Sequence, residues 1–239
     1  DIEVVGGTGK AFSGVYDGAG FAITGLTTTN TGNYCGILFN NVDNGVIKNL
    51  IAAATVDASG GFSMFGGANA SVFSNVTVRG SIAGTHHCGG FTSFGQWSDG
   101  ASTYIDCVNE AAVASSKSAG GFCGKPQTDA IFIRCVNKGT IGADGKMGGD
   151  GGLAGFCSGG AYGQFTDCVN EGVVLGTFGQ FGSSKPVSVA GTMVARTDQL
   201  AATVAFDGVN FGTVAGDAAT LISNDQVVVG GTYLVMSKI

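Results

Sequence analysis

A two-residue landmark recurs along the chain, each time after a short β-like run that a glycine-aromatic start precedes. The landmarks are Asn49-Leu50, Asn75-Val76, Cys107-Val108, Cys135-Val136, Cys168-Val169 and Gly208-Val209, spaced by 26, 32, 28, 33 and 40 residues. A period of about 30 residues built from short strands and glycine turns describes a chain wound into coils, each burying its apolar face only against its neighbours. One elongated domain over residues 1–239 is expected: an opening coil at 1–32, a repeat body at 33–215, and a C-terminal cap or assembly strand at 216–239.

Composition agrees with this reading. Glycine supplies 44 of 239 residues and proline 2, while 44% are hydrophobic and 12% charged. Disorder needs low hydrophobicity and high charge, so the chain should fold. The glycines keep no strict third-residue period, which excludes collagen; they suit tight corners with positive φ. The formal charge is −6, and the 11 basic residues are scattered. A duplex-binding protein needs a basic stripe to displace counterions, so nucleic acid is not an expected partner. No apolar window reaches the roughly 18 to 20 residues of a spanning helix. The start, Asp1-Ile2-Glu3, lacks the basic and apolar regions of a signal peptide.

Runs of β-branched and aromatic residues are short and bounded by Gly, Asn, Asp or Ser, and helical periodicity is poor, so the class is all-β. Asp17-Gly18 and Asn44-Gly45 are turn signals between strands. The most apolar segment, Gln226 to Met236, fits no rung. It reads as a cap on the last coil or as a strand that pairs with something else, with Val227, Val228, Val229, Tyr233, Leu234 and Val235 as assembly candidates.

If adjacent repeats stack in register as parallel strands, residues of one column interact as cross-strand neighbours. Asp106, Arg134 and Asp167 then form one column of alternating charge, and Glu110, Lys138 and Glu171 a second. A third column holds Asn109, Asn137, Asn170 and Asn210, read as stacked amides at a corner. Strict in-out alternation would place Val108 and its equivalents outside; for so regular an apolar column, the corner is expected to break the alternation.

The opening run from Phe12 to Leu26, the Gly-Gly-Phe units and Cys135-Val-Asn-Lys-Gly-Thr-Ile141 resemble GLUG-type repeats of bacterial adhesins, giant surface proteins and the stalk of immunoglobulin A-cleaving metallopeptidases. The likeness covers about residues 10 to 215. It implies a right-handed parallel β-helix (β-solenoid), here of about six coils with glycine-rich loops, lying outside the cell as a spacer, adhesin or assembly element. The metallopeptidase zinc motif His-Glu-x-x-His is absent, so that activity does not carry over.

Individual residues suggest little chemistry. Cys107, Cys135 and Cys168 share a column and read as an inward stack of small hydrophobes. Cys123 and Cys157 share another, with a disulfide between them as the alternative in an oxidising exterior. Zinc is not expected, because no Cys-x-x-Cys spacing occurs. His86 and His87, adjacent on an extended chain, should point to opposite faces and not share a metal. Asp144 and Asp150 flank a glycine-rich loop read as solvated rather than calcium-binding. Asn69 and Asn75 begin glycosylation sequons. No catalytic residue and no cofactor is expected. The favoured role is a non-enzymatic surface or filament building block that associates with itself or with other surface proteins. A glycan-binding or polysaccharide-cleaving β-helix is the rival, with Trp97 and Tyr104 as its exposed aromatics.

Overall fold

The computed structural model describes residues 5, 10–28, 31–95, 100–126, 129–142, 152–158, 163–175, 188–190, 192–196, 204–206, 209–211, 225–230 and 233–238. Two long strands, Val46–Asp57 and Val72–Gly84, show how this sequence makes a rung. Apolar and small polar residues alternate along them, burying Ile47, Leu50, Ala52, Ala54 and Val56 in the first and Phe73, Val76, Val78 and Ile82 in the second. They lie parallel, in register from Val46 opposite Val72 to Asp57 opposite Ala83. Ser102–Ile105, Ala130–Ile133 and Gly163–Thr166 continue one face of the stack, and Val108–Asn109, Val136–Asn137 and Val169–Asn170 continue the next.

Shorter parallel sheets close each coil. Asn41–Asp43, Gly67–Asn69, Thr92–Gly95 and Cys123–Lys125 form one; His87–Gly89, Ser118–Gly120 and Gly152–Ala154 form another. The protein is a parallel β-solenoid of about five turns, with no helix among the described residues.

The corner between the two long faces is made by a single residue in the left-handed region: Asn49, Asn75, Asp106, Arg134 and Asp167, all with φ between 50° and 53°. Asparagine and aspartate tolerate this conformation because their short polar side chains bond locally. The corner also corrects the sequence columns. Leu50 stands opposite Val76, and Thr77 opposite Val108, so Asn49-Leu50 and Asn75-Val76 align with Asp106-Cys107, one place earlier than the landmarks suggest. A constant spacing of three from the inward aromatic or isoleucine marks the true column: Ile47 to Leu50, Phe73 to Val76, Tyr104 to Cys107, Phe132 to Cys135 and Phe165 to Cys168. Alternation is not broken after the corner, contrary to expectation. Cys107 and Asn109 are fully buried while Val108 is half-exposed, and Val136 and Val169 follow the same rule. The left-handed residue resets the pleat, so two outward positions, such as Ile105 and Asp106, adjoin and strict alternation resumes.

Two aromatic ladders fill the interior. Phe73, Tyr104, Phe132 and Phe165 stack with ring centroids 5.0, 4.9 and 5.0 Å apart. Phe91, Phe122 and Phe156 stack at 4.7 and 4.8 Å. The ladders meet edge to face, as at Phe122 and Phe132, 5.4 Å and 70°. Such pairs contribute about 0.5–1.5 kcal/mol each beyond burial of area. The Phe of each Gly-Gly-Phe unit is thus a core rung. A smaller cluster of Cys88, Val113, Ala119, Ile141, Leu153 and Val174 forms a second core.

At the C-terminal end, Thr192–Arg196 pairs with Val169–Asn170 and accepts Tyr233–Lys238 antiparallel, which in turn pairs with Asp225–Gly230. Tyr233, Leu234 and Val235 therefore lie on the inner strand of an added hairpin, and Val227, Val228 and Val229 on its outer strand. The tail covers the last rung of its own coil. Asn210 does not continue the asparagine column. It lies on an antiparallel hairpin, opposite Ala205, and the position stacked on Asn170 is Ala195.

Candidate functional site

The charged columns lie on the outer surface. Arg134 donates from Nε to Asp106 Oδ1 at 2.7 Å and from Nη2 to Asp106 Oδ2 at 2.8 Å. Asp167 takes the next place, since Ile133 pairs with Thr166 and Val136 with Val169. Hydrogen bonds from Arg134 hold the Asp106 carboxyl below the ordinary range, and the bonds to Asp106 hold the guanidinium above its own, with Asp167 adding to the effect. Earlier turns replace ions by amides: Asn75 donates to Asn49, and Asn49 to Asp17, each at 3.0 Å. In the second column Glu110, Lys138 and Glu171 follow one another, and Arg79, which the shifted landmarks conceal, precedes them with a 2.6 Å bond to Glu110. These carboxylates are placed to fix register on an exposed face, where a pair contributes only about 0.2–1 kcal/mol.

Asn109, Asn137 and Asn170 form a different kind of ladder, fully buried and inward-facing rather than lying at a corner. Asn109 Nδ2 donates to Asn137 Oδ1 at 2.8 Å, and Asn137 Nδ2 to Asn170 Oδ1 at 2.7 Å. Glycines make room for the amides. A Cβ on Gly121 would lie 2.5 Å from Asn137 Oδ1, and one on Gly172 2.4 Å from Asn137 Nδ2. The Gly-Gly-Phe and Asn-x-Gly elements are therefore two halves of one packing arrangement.

All seven cysteines are buried thiols outside any disulfide. Cys107, Cys135 and Cys168 occupy one inward column. Cys107 Sγ donates to Phe73 O at 3.4 Å and Cys135 Sγ to Tyr104 O at 3.3 Å. Cys123 and Cys157 are bridge partners on adjacent turns but are not disulfide-linked. Burial pushes the Cys135, Cys157 and Cys168 thiols up, which makes them poor nucleophiles.

Other expected positions fare differently. Tyr104 is 1% exposed, so it offers no glycan platform. Its hydroxyl, 3.1 Å from Thr92 Oγ1 and 3.4 Å from Cys123 Sγ, ends a small cleft reaching Ser102, Pro126 and Asp129. Asn69 is buried and donates Nδ2 to Asp43 at 2.7 Å, which leaves no room for a glycan. Asn75 is exposed on the corner. Trp97, Asp144 and Asp150 lie outside the described residues.

His86 and His87 are not splayed to opposite faces. His86 precedes strand His87–Gly89 at a bend, and the two rings meet at 4.3 Å and 78°. Tyr34 packs on both, at 5.0 and 6.0 Å, and on Phe94 at 4.1 Å. Gly61 on the intervening turn lets these rings approach, since a Cβ there would lie 3.3 Å from His86 Cβ. Lys117 Nζ is 3.3 Å from His86 Nε2. Burial lowers the His86 pKa, with Lys117 and Lys125 adding to the effect. Burial likewise pushes His87 down to about 3, helped by His86, Lys125 and Lys117. His87 Nδ1 bonds to Ser118 Oγ, whose own proton goes to Gly124 O at 2.8 Å. Among the described residues, no group of three metal-ligating side chains forms. The sequence reading weighed the two histidines only as a metal pair and did not foresee their contacts with Tyr34 and Lys117. The signal for them was Tyr34, His87 and Ser118 each preceding a small residue at the start of a short strand.

The class is thereby defined: a β-solenoid repeat protein with outer ionic ladders, an inner amide ladder and an aromatic core. No family model, curated protein or solved structure matches the chain.

Proposed function

We propose that the chain is an extracellular, non-enzymatic building block of a surface or filament assembly, joined head to tail. The observation that carries this reading is the difference between the two ends of the coil. Among the described residues, Val15–Asp17 and Ala22–Leu26 pair with Val46–Asp57 alone. On that opening coil Val15 is 66% and Phe21 75% exposed. At the other end the stack finishes in the outer hairpin strand Asp225–Gly230. An unpaired strand edge must be covered or used for pairing, and two unlike edges on one molecule make a heterologous contact that propagates. The likeness to GLUG-type repeats supports an exterior location. Seven buried thiols suit it too, because burial keeps them from oxidants.

Light scattering and electron microscopy of the wild type, of Phe21→Lys and of a chain lacking residues 225–239 test the reading. Concentration-dependent rods in the wild type, shortened or lost in both variants, are expected. A wild type monomeric at all concentrations, or assembly unchanged in both variants, overturns it.

A further inference from the structure

Tyr34 holds a conformation that its side chain resists. Its φ is 68°, in the left-handed region where a bulky residue is a strained exception that only the surrounding structure can maintain. Cys35 stands opposite Phe62, so Tyr34 lies beside Gly61 of the next turn, and with no side chain in the way its ring reaches the turn after that. There it meets His86 at 5.0 Å, His87 at 6.0 Å and Phe94 at 4.1 Å. The first turn is thereby fastened to the third across the second.

Both histidines are held neutral. An ammonium group has donors only, so His86 Nε2, 3.3 Å from Lys117 Nζ, presents its lone pair, and a proton added there would set two cations face to face. The single ring proton sits on Nδ1, which is buried without a partner. Ser118 Oγ gives its own proton to Gly124 O and therefore accepts from His87 Nδ1. A second proton on His87 would charge a ring that is 3% exposed and 4.3 Å from His86. Besides each other and Tyr34, the titratable groups that act on the pair are Lys117 and Lys125, both of the same sign as an imidazolium.

The sign of the pH effect follows. Unfolded histidine takes up its proton below about pH 6.5, whereas burial holds His86 below that value and pushes His87 down to about 3. The contribution of the pair is complete above about pH 6.5 and is lost as pH falls below it, because the opened chain binds more protons.

We infer that Tyr34, His86 and His87 form an acid-released latch, which fastens the first turn to the third at neutral pH and opens when the histidines take up protons. Opening lets Tyr34 leave the left-handed region, so strain and charge act in the same direction. The latch does not depend on whether the chain assembles.

Amide hydrogen exchange at pH 7 and pH 5, corrected for intrinsic rates, and NMR titration of the histidine rings test it. Each proton taken up multiplies the opening constant about tenfold per pH unit, and carboxylates with ordinary or lowered pKa stay ionised over this range. Protection of the amides of Cys35, which donates to Gly61 O, and His86, which donates to Gly60 O, should fall by about tenfold or more. The peptide from Ile131 to Asn137 should change by less than about threefold. His86→Phe/His87→Phe keeps two rings in place, removes both titrations, and should abolish the pH dependence at Cys35. Protection at Cys35 and His86 unchanged at pH 5, an equal loss in every peptide, or a pH dependence retained in the double variant overturns the latch. Two histidine rings that both ionise near pH 6.5 in the folded wild type overturn it as well, a result that needs no variant.

Discussion

Arg134 and Asp106 face each other on consecutive turns with two parallel bonds of 2.7 and 2.8 Å, and both hold a left-handed backbone, φ 50° and 53°. The corner position thus carries two requirements, a conformation that side chains resist and a charge that alternates from turn to turn. Arginine has no special tolerance for the left-handed region. Its presence there is explained by what stands before and after it, Asp106 and Asp167.

Replacing Arg134 by Asp puts three carboxylates in one column. A lower thermal midpoint is expected, with the deficit shrinking as sodium chloride rises, because the column is exposed and screened. Arg134→Gln should show a pH dependence of definite sign. The Asp106 pKa is depressed in the folded protein by Arg134, so its contribution is present above the ordinary carboxylate pKa of about 3.9 and is lost as pH falls through the folded value. The midpoint difference between wild type and Arg134→Gln should narrow below about pH 4. A difference constant from pH 7 to pH 2 would show that the pair sets no register energy.

The buried amide ladder should be less forgiving. Asn137→Ala removes the acceptor of Asn109 and the donor to Asn170, leaving buried polar groups underpaired at about 1–3 kcal/mol. Gly121→Ala should be worse, since its Cβ would lie 2.1 Å from Gly155 O and 2.5 Å from Asn137 Oδ1. Urea unfolding of both variants checks this order, and an Asn137→Ala as stable as wild type would mean that water replaces the amide.

Phe122 touches Phe91, Phe156 and Phe132 at 4.7, 4.8 and 5.4 Å and is fully buried. Phe122→Ala should therefore destabilise by about 3–5 kcal/mol, and Phe122→Leu by less, because more of the volume is kept. Tyr104→Phe removes only a hydroxyl, paired with Thr92 and with the weakly donating Cys123 thiol, and should stay within about 1.5 kcal/mol of wild type.

The all-β coil was legible because glycine and short β-branched runs recur with a period, and the Asp106, Arg134, Asp167 column was legible because alternating charge has no local explanation. The first two turns were read one place out of step. Asn49 and Asn75 were set in the landmark place of Cys107 and Cys135, yet they occupy the left-handed corner, the place of Asp106 and Arg134. The opposite orientation of Val108 was misjudged because a corner made by one left-handed residue leaves no trace in hydropathy. His86 and His87 were misplaced because the bend before His87–Gly89 is held from another turn, where the Gly60 carbonyl accepts from Thr85 N and His86 N, a relation that linear spacing does not carry. Asn210 mimics the repeat locally, but the pairing opposite Ala205 is set by the neighbouring strand.

Thiol chemistry distinguishes packing from cross-linking in the two cysteine columns. Cys123 and Cys157 are parallel bridge partners, close enough in principle for a disulfide, while Cys107, Cys135 and Cys168 stack with their thiols directed at carbonyls. Burial raises the Cys135, Cys157 and Cys168 thiols, so little thiolate exists at neutral pH and reagents cannot reach it. All seven cysteines being buried thiols outside any disulfide, a thiol reagent such as DTNB should label almost none in the native protein and all seven after unfolding in guanidinium. Labelling should follow the opening of the coil, slowing in conditions that raise stability. Fewer than seven thiols in the unfolded, unreduced protein, with Cys123 and Cys157 recovered as one peptide pair by mass spectrometry, would show that the column is a cross-link and that the fold draws its stability there from a covalent bond instead of from packing.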